Sequence, residues 1–517
     1  MNEPENTTPD DAEGPSIDQY VDEISGEQVD PEGDYETRID PEALATALAV
    51  LAQLDTLPVD HPDAVQVRIA TNGIWKSLKK RRKRLRRDEV VNHDAAVTAS
   101  TATAAPGRID DETAGILLKP TAHGIVGTLK QARPCYICKE RYTEVDAFYH
   151  QLCPTCAAFN WSRREAGADL TGRRALLTGG RAKIGMYIAL RLLRDGAHTT
   201  ITTRFPADAL RRFKAMPDSE TWLHRLKVVG IDLRDPRQVI ALADDVAAAG
   251  PLDILINNAA QTVRRTSGSY SQLIAGEMAD PTALTEGGSE VLVLGQPHDA
   301  HPLSITGLAS PHLEAGDAIA AAEEMTALAM TAGSSSLERT AAGTAIDAGG
   351  LMPDIVDSNS WSEVVDQIDP IELLEVQLCN STAPFLLVSR LRASMASSPA
   401  HRKYVVNVSA MEGQFSRGYK GPGHPHTNMA KAALNMLTRT SANEMFETDR
   451  ILMTAVDTGW ITDERPHTTK ARLHEEGFAA PLDLVDGAAR VYDPIVRGEA
   501  GEDLMGIFLK DFKKHPW

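Results

Sequence analysis

The chain contains 517 residues, of which 42% are apolar, so it is long enough for more than one domain and can bury a sizeable core. No run of about 18 apolar residues occurs, which argues against a membrane-spanning helix, and the acidic amino terminus lacks the apolar segment of a signal peptide, so we expect a cytoplasmic protein. The formal charge of −19 is concentrated in residues 1–40 and 266–360, and the remainder is mildly basic, which suits an anionic ligand.

Residues 1–40 carry 14 acidic residues against Arg38 alone and few large apolar residues, so we predict a disordered acidic tail. Residues 41–94 are predicted to be helical, because Asp40-Pro41-Glu42 has the N-cap, the proline and the first-turn acid that begin helices. This segment ends in a basic run, Lys76 to Arg87, which could face an acidic partner, including the chain's own tail, or nucleic acid. We favour a solvated helix face over nucleic-acid binding, because no set of aromatic side chains for base stacking accompanies the charges.

Residues 95–130 are rich in small residues and are predicted to be a linker. The next segment, residues 131–160, contains four of the five cysteines as two C-x-x-C pairs with 14 residues between them: Cys135, Cys138, Cys153 and Cys156. Two such pairs place four thiolates around one tetrahedral Zn²⁺, and the span is too short to bury a core without the metal. We therefore predict a structural zinc module, with two redox pairs or unrelated thiols as the alternative.

From about Asp169 to the end of the chain, short apolar strands alternate with amphipathic helices, which indicates an α/β fold with a doubly wound parallel sheet. Residues 262–360 interrupt this alternation after the fourth strand. From residue 266 onward they carry 13 acidic residues against Arg339 alone, with one plausible helix near residues 314–330. A connection of this length indicates a lid or a mobile insertion, and its acidity predicts a poor cover for phosphate groups.

The first strand of this alternation leads through a glycine-rich turn, Thr178 to Gly185, into the first helix. This setting lets backbone amides and a helix N-terminus receive a pyrophosphate. The turn resembles the TGxxxGxG fingerprint of short-chain dehydrogenases, with Lys183 in place of the middle glycine. Further elements resemble the same family: Asp232-Leu233, Asn257-Asn258-Ala259-Ala260, Asn380, Lys431 and Thr458-Gly459. The resemblance implies a Rossmann-like domain over residues 169–517.

The resemblance also implies that an adenine dinucleotide binds at this edge of the sheet. The residues expected to contact it are Thr178, Gly179, Arg181, Lys183, Ile184, Gly185, Arg204, Asp232, Leu233, Asn258, Ala259, Lys431 and Gly459. The second strand ends in Arg204, where an acidic residue would bind the ribose hydroxyls of NAD(H) and an arginine favours the extra phosphate of NADP(H). We therefore favour NADP(H) over NAD(H), with a salt bridge as the alternative role of Arg204.

In short-chain dehydrogenases the catalytic helix carries Tyr-x-x-x-Lys, and a Ser and an Asn complete the site. The resemblance places Lys431 and Asn380 at the Lys and Asn positions, whereas Thr427 stands at the tyrosine and Ala410 at the serine. Ser409 lies one residue early, and adjacent residues of a strand face opposite sides, so it is a poor substitute. An aliphatic hydroxyl is far less acidic than a phenol, so Thr427 cannot supply ordinary general-acid catalysis.

Other acids near this helix are His426 and His424, Tyr419 and Asp457, and His426 is the main candidate for a replacement proton donor. Loop or capping roles are the favoured interpretation of the histidines, because the sequence identifies no base with an orienting partner.

Two hypotheses follow for the function. The chain is an NAD(P)-dependent oxidoreductase with a non-standard proton donor, or it is a catalytically silent relative that holds a dinucleotide and acts through partners by means of its zinc module. A weaker third hypothesis assigns the zinc module and the basic helix to nucleic acid. The family commonly pairs through the helices holding Asn380 and Lys431, so a homo-oligomer is considered, and the sequence indicates no particular substrate.

Overall fold

The computed structural model describes residues 39–104, 124–265, 267–279, 290–295, 351, 356–461 and 464–517. Nearly all of the predicted acidic tail and the helix predicted near residues 314–330 lie outside the described residues. The chain divides into two compact units, Met1–Arg87 and Asp88–Trp517.

The first unit contains helix α1 (Pro41–Gln53) and most of helix α2 (Pro62–Ala99). Asp40 caps α1, because its carboxylate accepts hydrogen bonds from the backbone amides of Glu42 and Ala43 at 3.0 and 2.9 Å. The predicted basic run lies on α2, where all of its residues are exposed.

Helix α2 continues to Ala99, and strand β1 spans Ile125–Pro134, so the connection is shorter at both ends than the predicted linker of residues 95–130. The reason is a tertiary contact that the composition does not show. Asp94, near the end of α2, accepts a hydrogen bond from the amide of Lys130 on β1 at 2.7 Å. This contact holds the last turns of the helix against the strand.

Strands β1 and β2 (Arg141–Asp146) form an antiparallel hairpin, which helix α3 (Pro154–Arg164) follows. One C-x-x-C pair lies in the turn of the hairpin, and the other lies at the start of α3. We call residues 125–164 the four-Cys module.

The remainder of the second unit is the α/β domain. Its strands are β3 (Arg174–Leu177), β4 (His198–Thr203), β5 (Leu226–Gly230), β6 (Ile254–Asn257), β7 (Glu290–Val293), β8 (Lys403–Ser409), β9 (Ile451–Asp457), β10 (Ile507–Lys510) and β11 (Lys513–His515). Its helices are α4 (Lys183–Arg194), α5 (Pro206–Lys214), α6 (Pro236–Ala248), α7 (Ser271–Ala279), α8 (Pro370–Gln377), α9 (Ala383–Ala396), α10 (Pro425–Asp449), α11 (His467–Glu475) and α12 (Leu484–Glu499). One π-helical turn, Leu378–Thr382, joins α8 to α9.

Within the described residues these strands form one nine-stranded sheet in the order β11-β10-β9-β8-β6-β3-β4-β5-β7. Neighbouring strands are parallel except for the final pair, β10 and β11. The predicted α/β fold is therefore confirmed. The chain runs outward from β3 through β4 and β5 and then returns to the other side of β3 with β6. This reversal opens a crevice at the carboxyl ends of β3 and β6, where open α/β sheets bind ligands.

Apolar side chains cover both faces of the sheet. Leu192 of α4 and Val491 of α12 are fully buried on one face, and Leu242 of α6 and Leu391 of α9 are fully buried on the other. Each such side chain contributes about 1.5–3 kcal/mol through burial, so the two layers hold the strand ends of the crevice rigidly in place.

The predicted insertion takes part in the fold at two described places. Strand β7 extends the parallel sheet beside β5. Glu277 of α7 accepts hydrogen bonds from the amides of Ala207 and Asp208 at the start of α5, at 2.9 and 2.7 Å. A carboxylate at this end of a helix satisfies unpaired amides and interacts favourably with the helix dipole, so α7 is anchored on α5.

Among the described helices, the continuous stretch Pro370–Ala396 is long and apolar enough to cross a membrane by length and composition. Half of its most apolar window is buried inside the fold, as expected for a helix that packs on a central sheet. The test is therefore weak evidence for a membrane span.

Candidate functional site

The glycine-rich turn between β3 and α4 lies at the crevice, and close packing explains two of its glycines. A Cβ at Gly179, whose φ is +71°, would lie 3.0 Å from Ala259 Cα. A Cβ at Gly185 would lie 1.9 Å from the carbonyl oxygen of Gly179, which is far inside van der Waals contact. Both positions therefore require glycine for the first turn of α4 to approach the strand ends.

Lys183 occupies the position of the middle glycine and is the first residue of α4. Its φ is 52°, in the left-handed region that favours glycine, which costs a residue with a side chain about 1–2 kcal/mol. The backbone therefore keeps the path that a glycine would take, and the side chain adds a cation to the rim of the crevice.

A cavity of about 380 Å³ opens beside this turn. Nine of the residues predicted to contact a dinucleotide line it: Gly179, Arg181, Lys183, Ile184, Arg204, Asp232, Leu233, Asn258 and Ala259. The other four do not line it: Thr178, Gly185, Lys431 and Gly459. The turn is thus open to a ligand, whereas the catalytic helix lies outside the lining of the cavity.

Thr178 and Asn258 hold the glycine-rich turn in place through hydrogen bonds between the ends of β3 and β6. The Asn258 side-chain amide donates to the carbonyl oxygens of Thr178 and Gly179 at 3.0 and 3.1 Å. The Thr178 hydroxyl oxygen accepts hydrogen bonds from the amides of Asn258 and Ala259, both at 3.0 Å. These bonds fix the ends of β3 and β6 relative to each other.

Asp232 lines the cavity, but its carboxylate already has a partner. Arg234 lies 2.6 Å from Asp232 Oδ2 and 3.1 Å from Glu375 Oε1, and all three side chains are buried. Arg234 therefore competes for the carboxylate oxygens of Asp232, which the resemblance places in contact with the dinucleotide. Sequence analysis did not identify Arg234 or Glu375, because their pairing joins positions 141 residues apart.

Arg204 directly follows β4 and packs against aromatic rings. Its guanidinium lies 5.1 Å from the centre of the Tyr270 ring and 5.7 Å from that of Phe205, and it reaches the Tyr270 hydroxyl at 3.4 Å. No carboxylate lies within salt-bridge distance of Arg204 in the described part of the chain. Its charge therefore faces the cavity without an ionic partner there.

Further positive charge surrounds the same end of the cavity. Asp208 Oδ2 lies 2.5 Å from Arg181 and 2.7 Å from Arg212, and Asp208 Oδ1 lies 3.4 Å from Arg211. Burial alone would raise the pKa of Asp208, but the guanidinium groups of Arg181 and Arg212 hold it below its usual value. Glu277, which accepts from the amide of Asp208, adds a second carboxylate beside these three arginines.

The insertion contributes to the lining of the cavity through Thr262, Val263, Arg265, Tyr270 and Leu351. These residues are apolar, aromatic, hydroxyl-bearing or basic. None of these five residues is acidic, but most of the acidic residues of the insertion lie outside the described part of the chain. That the insertion covers phosphate groups poorly therefore stays a prediction.

The catalytic helix α10 brings Thr427 and Lys431 onto one face, one turn apart. Lys431 Nζ donates a hydrogen bond to the carbonyl oxygen of Val408 at 2.8 Å. Burial lowers the pKa of Lys431 to about 8. The Thr427 hydroxyl is buried and has no hydrogen-bond partner among the described residues.

Asn380 lies in the π-helical turn and clamps the segment that follows β6. Its side-chain oxygen accepts from the amide of Gln261, and its side-chain nitrogen donates to the carbonyl oxygen of Gln261, both at 2.7 Å. Asn380, Thr427 and Lys431 have exposed fractions of 1%, 1% and 6%, so the catalytic end is closed.

Ser409 does not face Thr427. Its hydroxyl donates to Asn435 Oδ1 at 2.5 Å, one turn beyond Lys431 along α10. Ala410 stands at the serine position of the family and offers no hydroxyl.

The structure separates His426 from Lys431. The two residues are five positions apart on a helix of 3.6 residues per turn, so they point to different sides. His426 is buried, and its Nε2 lies 4.0 Å from Glu372 Oε1 on α8. Burial lowers the pKa of His426, and neither ring nitrogen makes a hydrogen bond within the part of the chain that the structure describes.

The other acids considered near the helix also have structural contacts or are exposed. His424 stacks on Trp361 with ring centres 4.0 Å apart. Asp457 accepts a hydrogen bond from the amide of Gly459 at 2.7 Å, and burial raises its pKa. Tyr419 is largely exposed.

The four cysteines of the four-Cys module meet at one point, because their sulfur atoms all lie within 4.8 Å of one another. The sulfurs of Cys138 and Cys153 are 3.7 Å apart. Tetrahedral zinc with Zn–S bonds of about 2.3 Å requires sulfurs about 3.8 Å apart, and none of the four is in a disulfide. The donor set therefore fits one structural Zn²⁺.

Comparison with known proteins places part of this site in a family. The family model described as short chain dehydrogenase matches residues 173–274. An uncharacterized protein of Acanthamoeba polyphaga mimivirus is 32% identical over 375 residues, which cover 70% of this chain and 71% of that protein.

Shorter matches join the chain to named enzymes. A probable oxidoreductase of Streptomyces antibioticus is 38% identical over 91 residues, and L-xylulose reductase of Mesocricetus auratus is 37% identical over 91 residues. These matches cover 18% of this chain and 30% and 33% of the two enzymes, about a third of their length. Among solved structures, a short chain dehydrogenase from Burkholderia cenocepacia J2315 in complex with NADP covers 66% of this chain and 96% of its own, at 19% identity and a TM-score of 0.39.

Proposed function

Because the chain belongs to the short-chain dehydrogenase family, we propose that it is an NAD(P)-dependent oxidoreductase with a non-standard active site. A nicotinamide dinucleotide donates or accepts hydride when it is bound, while the residues of this chain hold it and move the accompanying proton. The observation that carries the proposal is the open cavity at the glycine-rich turn, where a Cβ at Gly179, Gly180 or Gly185 would lie within 3.0 Å of another heavy atom.

The turn is suited to a diphosphate. The amides in the first turn of a helix have no partners within the helix, and the dipole of α4 favours an anion at this end. Lys183 and Arg181 add positive charge to the same rim. The groups present therefore attract a diphosphate without any carboxylate of the turn opposing it.

We infer that NADP(H) is preferred over NAD(H). Arg204 lines the cavity at the end of β4 with no ionic partner in the described part of the chain. The rim places the guanidinium groups of Arg181, Arg211 and Arg212 beside the carboxylates of Asp208 and Glu277. A ribose phosphate would pair with these guanidinium groups, whereas a ribose diol would find no carboxylate at the end of β4.

We propose that Lys431 donates the proton that accompanies hydride transfer. With a threonine at the tyrosine position, the group on this face of α10 that titrates near neutrality is the Lys431 ammonium, whose pKa burial lowers to about 8. Reduction would therefore slow as the pH rises through about 8, because the ammonium that donates the proton is lost. His426 is the less favoured donor, since it faces Glu372.

A catalytically silent relative is the second candidate function. The closed catalytic end favours it: Asn380, Thr427 and Lys431 are buried and do not line the cavity. Such a protein would hold a dinucleotide and act through a partner.

The four-Cys module would hold structural zinc in either case. Four thiolate ligands complete a tetrahedron and leave no position for water or substrate, so we assign the metal no chemical step.

Dinucleotide titration tests the proposed binding site. Gly185→Ala places a Cβ 1.9 Å from a backbone oxygen and should abolish NADPH binding, whereas Gly73→Ala, which meets nothing within 4 Å on α2, should leave it unchanged. Binding that survives Gly185→Ala, or no binding to the unaltered protein, would contradict the proposal.

Turnover separates the two candidate functions. NADPH oxidation is followed with a panel of aldehydes and ketones, and Lys431→Met should remove any activity while His426→Ala retains it. Tight NADPH binding without turnover across the panel would favour the silent relative.

A further inference from the structure

The four-Cys module packs directly against the α/β domain. Its apolar core, with Phe148, Tyr149 and Leu152, is continuous with Ile461 and Leu482 of the α/β domain, and all five are buried. The module therefore has no apolar core that is separate from the domain it contacts.

Buried polar contacts fix the same interface. Arg164 forms a two-pronged ion pair with Asp483, at 2.5 and 2.7 Å. The Tyr149 hydroxyl donates to Asp486 at 2.6 Å, and Asp483 also caps helix α12. Paired charges and hydrogen bonds of this geometry hold the four-Cys module in one position on the α/β domain. A displacement of the module therefore displaces the residues of the domain that it contacts.

Tyr136 makes the contact nearest to the predicted site. It lies between Cys135 and Cys138, and its hydroxyl oxygen accepts a hydrogen bond from the backbone amide of Trp460 at 2.9 Å. Trp460 directly follows Thr458-Gly459, the pair that the sequence places beside the cofactor. The knuckle that holds two thiolates thus holds this loop as well.

The loop reaches the cavity through packed side chains. A Cβ at Gly487 of α12 would lie 2.8 Å from Ile461 Cδ1 and 3.4 Å from Ile184 Cδ1, so these two side chains meet over a glycine. Ile184 lines the cavity and packs against the core of the module. A continuous set of contacts therefore joins the cysteines, the loop and the glycine-rich turn.

We propose that Tyr136 is a positioning residue that couples metal binding in the four-Cys module to dinucleotide binding. The metal orders the knuckle, the knuckle holds the Trp460 amide, and the loop then shapes the cofactor end of the site. The coupling rests on the proposed function, whereas the ordering of the loop by the module does not. Coupling between two sites is reciprocal, so a dinucleotide must strengthen zinc retention by the factor by which zinc strengthens dinucleotide binding.

The test of the coupling uses the full chain loaded with zinc. Zinc affinity is measured by competition with a chromogenic chelator, with and without saturating NADPH. NADPH should raise the zinc affinity at least about fivefold, the lower end of typical coupling between sites. Tyr136→Phe, which removes only the hydroxyl, should lose this gain.

Tyr142→Phe is the matched control. It removes a hydroxyl of the same module that donates to the carbonyl oxygen of His150 and does not reach the loop. This variant should keep the gain in zinc affinity. Equal zinc affinity with and without bound NADPH, or equal loss in both tyrosine variants, would overturn the coupling.

Hydrogen exchange of the segment containing Trp460 tests the ordering of the loop without a dinucleotide. The exchange should be faster in zinc-loaded Tyr136→Phe than in the unaltered protein, and unchanged in Tyr142→Phe. Unchanged exchange in Tyr136→Phe would overturn the positioning role. If the exchange responds but NADPH does not bind, then the proposed function fails and the positioning of the loop stands.

Discussion

Replacing Lys431 by Met should stabilise the protein at neutral pH while it removes the proposed proton donor. Burial lowers the pKa of Lys431 from its ordinary value of 10.5 to about 8. At about 1.4 kcal/mol per unit, keeping the ammonium in the folded protein costs about 3 kcal/mol. The lost hydrogen bond from this ammonium to the Val408 carbonyl oxygen offsets about 1.5 kcal/mol of this, so the expected gain in the free energy of unfolding at pH 7 is about 1.5 kcal/mol.

The dependence on pH follows from proton binding by the folded and unfolded chains. Below about pH 8 both states carry the ammonium, and the full penalty is present. Between about pH 8 and 10.5 the unfolded chain binds more protons than the folded one, so the stability of the unaltered protein rises with pH. The advantage of Lys431→Met should therefore shrink through this window.

Urea unfolding in excess zinc, at pH 7 and at pH 10, measures the difference for both proteins. Lys514→Met is the control, because this lysine is exposed on β11 and its loss should change the stability by less than about 0.5 kcal/mol. A Lys431→Met protein that is less stable at pH 7, or a difference that is the same at both pH values, would refute the assignment of a depressed pKa.

Three further changes test other parts of the site. Arg204→Glu should weaken NADPH binding about 10–100-fold, which is the cost of losing a hydrogen bond to a charged group, and should leave the affinity for NADH unchanged. Arg237→Glu is the control, because this side chain is 91% exposed, and parallel titrations should show unchanged affinity for both cofactors. Thr427→Tyr restores the phenol, so any carbonyl reduction should rise by about 10²–10⁴-fold, and an unchanged rate would mean that the closed catalytic end cannot use it. Cys138→Ser should lower the zinc content measured by elemental analysis and destabilise the module, whereas Cys379→Ser should keep one zinc per chain; full zinc retention in Cys138→Ser would remove that cysteine from the metal site.

The sequence was sufficient for the features that short stretches encode. Alternating strands and helices predicted the parallel sheet, because the two periodicities of buried residues are local. The spacing of the cysteines predicted the cluster that the structure forms. The glycine-rich turn predicted a ligand site at this edge of the sheet, because its glycines lie within one segment of eight residues.

Only the tertiary structure decided how the site is charged and closed. Arg234 forms an ion pair with Asp232, the Tyr270 ring of the insertion packs against Arg204, and His426 lies 4.0 Å from Glu372. The pKa of Lys431 depends on burial by elements far away in sequence. These contacts join residues that are distant along the chain, and no spacing within a segment records which of them will meet.

The clearest case is the link from Tyr136 to Trp460, which are 324 positions apart. The sequence predicted a four-Cys module and an α/β domain that resembles short-chain dehydrogenases in one chain. The tertiary structure shows that the two share one apolar core. The physical reason is that a module too small to bury its own core must cover its apolar surface with that of its neighbour.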